Sequence, residues 1–216
     1  MKKLIAAATA ILLTTGLTAC SGNTEASVAS TASGSELTTA EIKLDLPENW
    51  TVTVGDKVYE IIVGLGSTSD ESTSAAESFK ALCEENGTSY LAYAVNDEGT
   101  VVLTITALTI TDDETTGEHL YLEEYARQNH DTEIFNYQAN GGYIRNSSFG
   151  EEKIAGKDGY LSHFELCTDE EVSQMVYGQS EFIYELNGRF CSVQTYYENE
   201  TAAAESDAVL ASLTAE

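Results

Sequence analysis

Positive charge is what this chain most lacks. Ten lysines and arginines stand against 36 aspartates and glutamates in 216 residues, a formal charge of −26. The few cations are scattered. That disfavours nucleic acid and anionic lipid head groups as partners, since both require a basic patch. Histidine is equally scarce: His119, His130 and His163 are isolated from one another, and no cysteine pair shows the C-x-x-C spacing of a zinc site. There is no G-x-S-x-G, H-E-x-x-H, Walker loop or S-x-x-K, so no catalytic motif marks the chain as an enzyme. Carboxylates abound, but a catalytic pair needs a shaped pocket that sequence does not display. The only proline and the only tryptophan fall together in Leu46-Pro47-Glu48-Asn49-Trp50.

The N-terminus holds the strongest local signal. Lys2 and Lys3 precede an uncharged, apolar and small-residue run from Leu4 to Leu17, the charged start and short hydrophobic region of an export signal. That run is too short to span a bilayer comfortably. Leu17-Thr18-Ala19-Cys20 resembles the lipobox of bacterial lipoproteins. The resemblance implies cleavage before Cys20, lipidation of that cysteine, and anchoring at the outer face of the cell membrane by acyl chains. Residues 1–19 are then the signal peptide, and the mature protein is two charges more negative for the loss of Lys2 and Lys3.

From Ser21 to Thr39 the chain is built from Ser, Thr, Ala, Gly, Asn and Glu with almost no bulky apolar side chain. Such a stretch cannot bury enough surface to offset its ordering entropy, so residues 20–40 are expected to act as a lipidated cysteine plus flexible tether. Residues 41–216 form one domain's length. Its remaining cysteines, Cys83, Cys167 and Cys191, allow one disulfide at most and read as core-facing free thiols.

Along the domain, Ile42, Leu44 and Leu46 alternate with Lys43 and Asp45 as in a half-buried strand. A second strand follows at Trp50–Val54, with Trp50 expected as a core plug beside the turn. Val58, Ile61, Ile62 and Leu65 have helical spacing in β-branched residue types, and favour a helix stopped by Gly64-Leu65-Gly66. Ser74-Ala75-Ala76-Glu77 reads as a capping box opening a helix whose apolar face is Phe79, Leu82 and Cys83, ended by Asn86-Gly87. Tyr90–Val95 and Thr100–Ile110 form a hairpin, the second strand central because both its faces are apolar. Leu120–His130 is a helix with Leu122, Tyr125 and Ala126 on its face. Ser148–Ile154 and Gly159–Cys167 are strands joined by Gly156-Lys157-Asp158-Gly159. Asn187-Gly188 suits a type I′ turn pairing Leu186 with Arg189, Tyr184 with Cys191 and Phe182 with Val193. Thr201 caps a closing helix that packs through Val209, Leu210 and Leu213.

One metal hypothesis arises. Asp112, Glu114, Thr116, Gly117 and Glu123 fall at the first, third, fifth, sixth and twelfth positions of a loop that resembles the calcium loop of EF-hands. His119 stands where that loop has an apolar residue, and a connector capped by Thr115 with Glu118 explains the same residues. The expectation is no bound cofactor, with calcium at Asp112, Glu114, Thr116 and Glu123 as the alternative.

The order of elements resembles the PsbP-type domain: a strand ending in Leu46-Pro47-Glu48-Asn49-Trp50, a central hairpin, a helix, a Gly-bounded strand from Gly156 to Cys167, the Asn187-Gly188 hairpin and a final helix ending in Leu210-Ala211-Ser212-Leu213. The resemblance spans Glu41 to Glu216 and implies an α+β fold, a central antiparallel sheet flanked by helices in an α/β/α sandwich. The helix from Ser74 to Asn86 looks like an insertion seen in some bacterial members. The family includes photosystem extrinsic subunits, a nuclear Ran-binding protein and many bacterial lipoproteins, and no functional residue carries over from it. The expected role is a non-enzymatic lipoprotein that binds a protein partner or assists an envelope complex. A small-ligand or calcium-binding lipoprotein is the alternative, and a hydrolase without a recognisable motif comes third.

Overall fold

Alternation governs the first ordered segment. Ile42, Leu44 and Leu46 are buried while Asp45 faces solvent, so the chain runs extended, and β1 (Glu36–Thr38) pairs antiparallel with β2 (Lys43–Asp45). This computed structural model describes residues 36–38, 42–66, 72–110, 119–169, 171 and 174–213. The lipobox with Cys20, and Asp112, Glu114 and Thr116 of the calcium alternative, lie outside them. β1 falls inside the stretch read as tether; its backbone pairing with β2 is what orders it.

After the Pro47–Asn49 turn come β3 (Trp50–Val54), α1 (Lys57–Gly66), α2 (Ser72–Glu85) and the hairpin β4 (Thr88–Asn96) and β5 (Val101–Thr109). α3 (Leu122–Ala139) leads to β6 (Tyr143–Ile154), β7 (Lys157–Cys167), β8 (Met175–Leu186), β9 (Arg189–Tyr197) and α4 (Glu200–Ala211). β3 to β9 form one seven-stranded sheet in the order β3-β4-β5-β9-β8-β7-β6, with every neighbouring pair antiparallel.

The sheet has two cores because its central strands are apolar on both faces. On one face Val101, Leu103, Ile105, Phe182, Tyr184 and Val193 pack with Leu44 of β2 and with Val209 and Leu210 of α4. On the other, α1 and α2 lay Val58, Ile62 and Cys83 against Tyr90 and Val102, and α3 sets Ala126 against Ile183 and Phe190. An α/β/α sandwich results, as the sequence predicts. The Asn187-Gly188 hairpin has the expected register, Leu186 to Arg189, Tyr184 to Cys191 and Phe182 to Val193. Cys83, Cys167 and Cys191 are buried thiols outside any disulfide.

Several local expectations need correction. α2 starts at Ser72, so Ser74 is not its cap; the Ser74 carbonyl accepts a hydrogen bond from Ser78 Oγ inside the helix. Leu82 is 51% exposed, and the buried side of α2 is Ala76 and Cys83. The β6–β7 connection is the two-residue turn Ala155-Gly156 rather than residues 156–159, with φ of 51° and 80°. Both positions are left-handed, as a type I′ turn demands, and Ala155 carries the strain that an L side chain meets there. Asn199, not Thr201, caps α4, accepting from the Ala202 N–H at 3.0 Å. α3 runs to Ala139, well past His130.

Trp50 is buried, and its indole N–H donates to Glu205 Oε1 at 2.8 Å while Asn96 Nδ2 donates to Glu205 Oε2 at 2.9 Å. One carboxylate of α4 thus ties two strands together. Glu205→Ala strands the indole N–H and leaves Asn96 Nδ2 with Thr100 Oγ1 alone, and a loss of roughly 1–3 kcal/mol is expected. Urea unfolding followed by the fluorescence of this single tryptophan reads it directly.

Candidate functional site: a buried polar belt beneath α3

The buried stripe of α3 is unusual for a helix docked on a sheet. Ala126, His130 and Glu133 are buried and Tyr137 is half-buried, a 4-3-4 spacing that puts all four on one face. An amphipathic helix ordinarily fills these positions with Leu, Ile or Val. Here one alanine and three polar side chains take them.

The sheet answers with a matching row. Thr104, Gln194, Glu181 and Ser162 are successive register partners on β5, β9, β8 and β7, and all four are buried. Partners across antiparallel strands share a face, so the row crosses the middle of the sheet under α3. Gln179, two residues before Glu181 on β8, lies on the same face.

Hydrogen bonds join helix to row. Glu133 accepts from the side-chain amides of Gln179 and of Gln194, the latter at 3.1 Å. Ser192 Oγ donates to Glu181 Oε1 at 2.6 Å. His130 Nδ1 and Ser162 Oγ are 2.7 Å apart, and His130 Nε2 and Ser147 Oγ 3.3 Å. Phe149 and Phe164 pack around the imidazole, and Arg127 lies 4.6 Å from the centre of the Phe149 ring.

The electrostatics are one-sided. Burial, and then the charge of Glu181, push the Glu133 carboxyl well above the usual carboxylate range. Burial likewise raises Glu181, to about 7, partly offset by the Ser192 hydrogen bond. Neither carboxylate forms an ion pair with a described lysine or arginine. Burial also holds His130 below its ordinary value, favouring the neutral imidazole. Such a cluster can bind and release a proton inside the core. With Glu133 at 2% and Glu181 at 5% exposure it does not present them to a substrate.

Sequence reasoning missed Glu133, Glu181, Gln179 and Gln194, and took His130 as isolated. The one available signal was Glu133, seven residues after Ala126 on the face that the α3 pattern had already marked. Of the calcium alternative, Glu123 is described, on the first turn of α3, with its carboxylate 3.0 Å from Arg127. Among the described residues no three His, Cys, Asp or Glu side chains are grouped to hold a metal ion, and no helix is long and apolar enough to cross a membrane.

No protein-family model matches the chain, and no curated protein matches it in sequence. Solved structures do. The cyanobacterial PsbP protein CyanoP from Synechocystis aligns over 93% of this chain and 99% of its own with a TM-score of 0.49 and 12% identity. A Bacteroides thetaiotaomicron protein aligns over 81% of this chain and 45% of its own, TM-score 0.38 and 13% identity. LpqN of Mycobacterium tuberculosis, a protein involved in cell envelope biogenesis, aligns over 81% and 82%, TM-score 0.38 and 8% identity. A PsbP protein thus stands among the structural neighbours, and no residue role transfers at such identities.

Proposed function

We propose that this protein is a lipid-anchored extracytoplasmic module that binds a protein partner or assists an envelope complex without catalysing a reaction. The observation that carries the reading is Leu17-Thr18-Ala19-Cys20 behind a lysine-led apolar run, followed by a Ser/Thr-rich stretch before the domain. The buried belt supports its non-enzymatic half: the polar groups that converge are enclosed beneath α3, with Glu133 and Glu181 buried. The excess of acidic residues favours a partner with a basic surface.

Two measurements test it. Cys20→Ala should release the protein from the membrane, and the unmutated form should carry the added mass of a diacylglyceryl group. Equal membrane retention of the variant with no lipid mass in the parent overturns the anchor. Crosslinking in the native membrane should then trap one protein partner reproducibly; turnover of a small molecule by the purified protein would replace the reading with an enzymatic one.

A further inference from the structure

We infer that Glu133 and Glu181 form a proton-operated latch: a proton held on the pair keeps α3 seated on the sheet, and its loss lifts α3. The hydrogen-bond inventory places the proton. Both Glu133 oxygens receive amide N–H groups, from Gln179 and Gln194, the surroundings of an anion. Glu181 has one donor, Ser192, on Oε1. Its Oε2 is buried without a partner, and so is Oε1 of Gln179, its neighbour on the same face of β8. Two orphaned buried acceptors on one face of one strand are costly as they stand. A proton on Glu181 Oε2 turns that unmet acceptor into a hydroxyl donor and removes a buried negative charge.

The groups facing the pair offer no other neutralisation. From α3 come Tyr125, Tyr137 and His130, from β8 Tyr177, and from β9 Tyr196. β5 and β7 contribute the hydroxyls of Thr104 and Ser162. Burial raises all four tyrosines, so they stay neutral, and His130 is held towards its neutral form. Two ionised carboxylates would therefore face each other in the core without a counter-charge.

The element that yields is α3. Glu181 sits on a strand bonded on both sides, to β7 and β9. α3 is held through side chains alone: Leu122, Tyr125 and Ala126 pack with Ile183 and Phe190 near its start, Tyr137 packs on Phe164 and Tyr177 further along, and the polar belt fills the stretch between. Moving the helix admits water to both carboxylates without breaking a β ladder, so it is the low-cost opening.

The test uses the mature chain with carbon-labelled glutamate. A carbon NMR titration should show at least one carboxyl deprotonating above the ordinary glutamate range of about 4.3. Hydrogen exchange should show protection of α3 amides falling about tenfold or more between about pH 5 and about pH 8, relative to β5, whereas E181Q keeps it level. Ordinary titration of both carboxyls overturns the inference. So does high titration with unchanged α3 protection, or an α3 response that E181Q retains. Should E181Q fail to fold, the titration and exchange of the unmutated protein still decide.

Discussion

The folded domain is expected to lose stability as pH rises from about 4.5 past neutrality, and E133Q/E181Q is expected to remove the part of that decline that belongs to the belt. Glu181 is raised from 4.5 to about 7 in the folded protein. Between those values the native state holds a proton that the unfolded state has released. Unfolding free energy therefore falls with pH. The contribution is fully present below the unfolded value and lost as pH passes the folded one. At roughly 1.4 kcal/mol per unit, Glu181 alone accounts for ~3 kcal/mol, and Glu133 shifts in the same direction. His130 acts oppositely: its lowered value gives stability present above about 6.5 and lost as pH falls. General repulsion in so acidic a chain also varies with pH. The informative quantity is thus the difference between parent and double variant in urea midpoint at each pH. The variant should gain on the parent by at least ~3 kcal/mol from acid to mildly alkaline conditions; a constant difference would show that the pair carries no excess proton.

Gly159→Ala should be a severely damaging single-methyl change in the sheet. A Cβ there would lie 2.4 Å from the Ile183 carbonyl oxygen and 2.7 Å from the Phe182 ring. The carbonyl is backbone in the neighbouring β8, and Phe182 is fully buried, so neither can step aside. Overpacking of this kind costs about 1–3 kcal/mol and occasionally more. The backbone contact puts this site at the upper end. Gly150 of the edge strand β6 is the internal control, since a Cβ there meets nothing within 4 Å. Thermal unfolding should show a large drop for Gly159→Ala and almost none for Gly150→Ala; similar midpoints would mean that β7 and β8 are less tightly packed.

Local chemistry made most of the fold legible. Asn187-Gly188 determines its own turn, and with it the register that sends Phe182, Cys191 and Val193 inward, because a type I′ turn leaves no freedom to the flanking strands. The two apolar faces of β5 place it inside the sheet. The sequence misleads where polar side chains occupy buried positions. α3 is legible as far as His130 and then fades, because Glu133 and Tyr137 carry no hydrophobic period. The cap read at Thr201 is displaced two residues to Asn199 because threonine and asparagine supply the same kind of acceptor oxygen, and the start read at Ser74 lies inside α2.

By itself the sequence determined the acidic charge, the central place of β5 and the Asn187-Gly188 hairpin, since these depend on composition and on neighbours along the chain. Only the tertiary structure decided that Glu133 and Glu181 meet. They come from a helix and a strand that follow different periodicities, and whether a carboxylate is solvated or enclosed depends on what the rest of the chain packs around it.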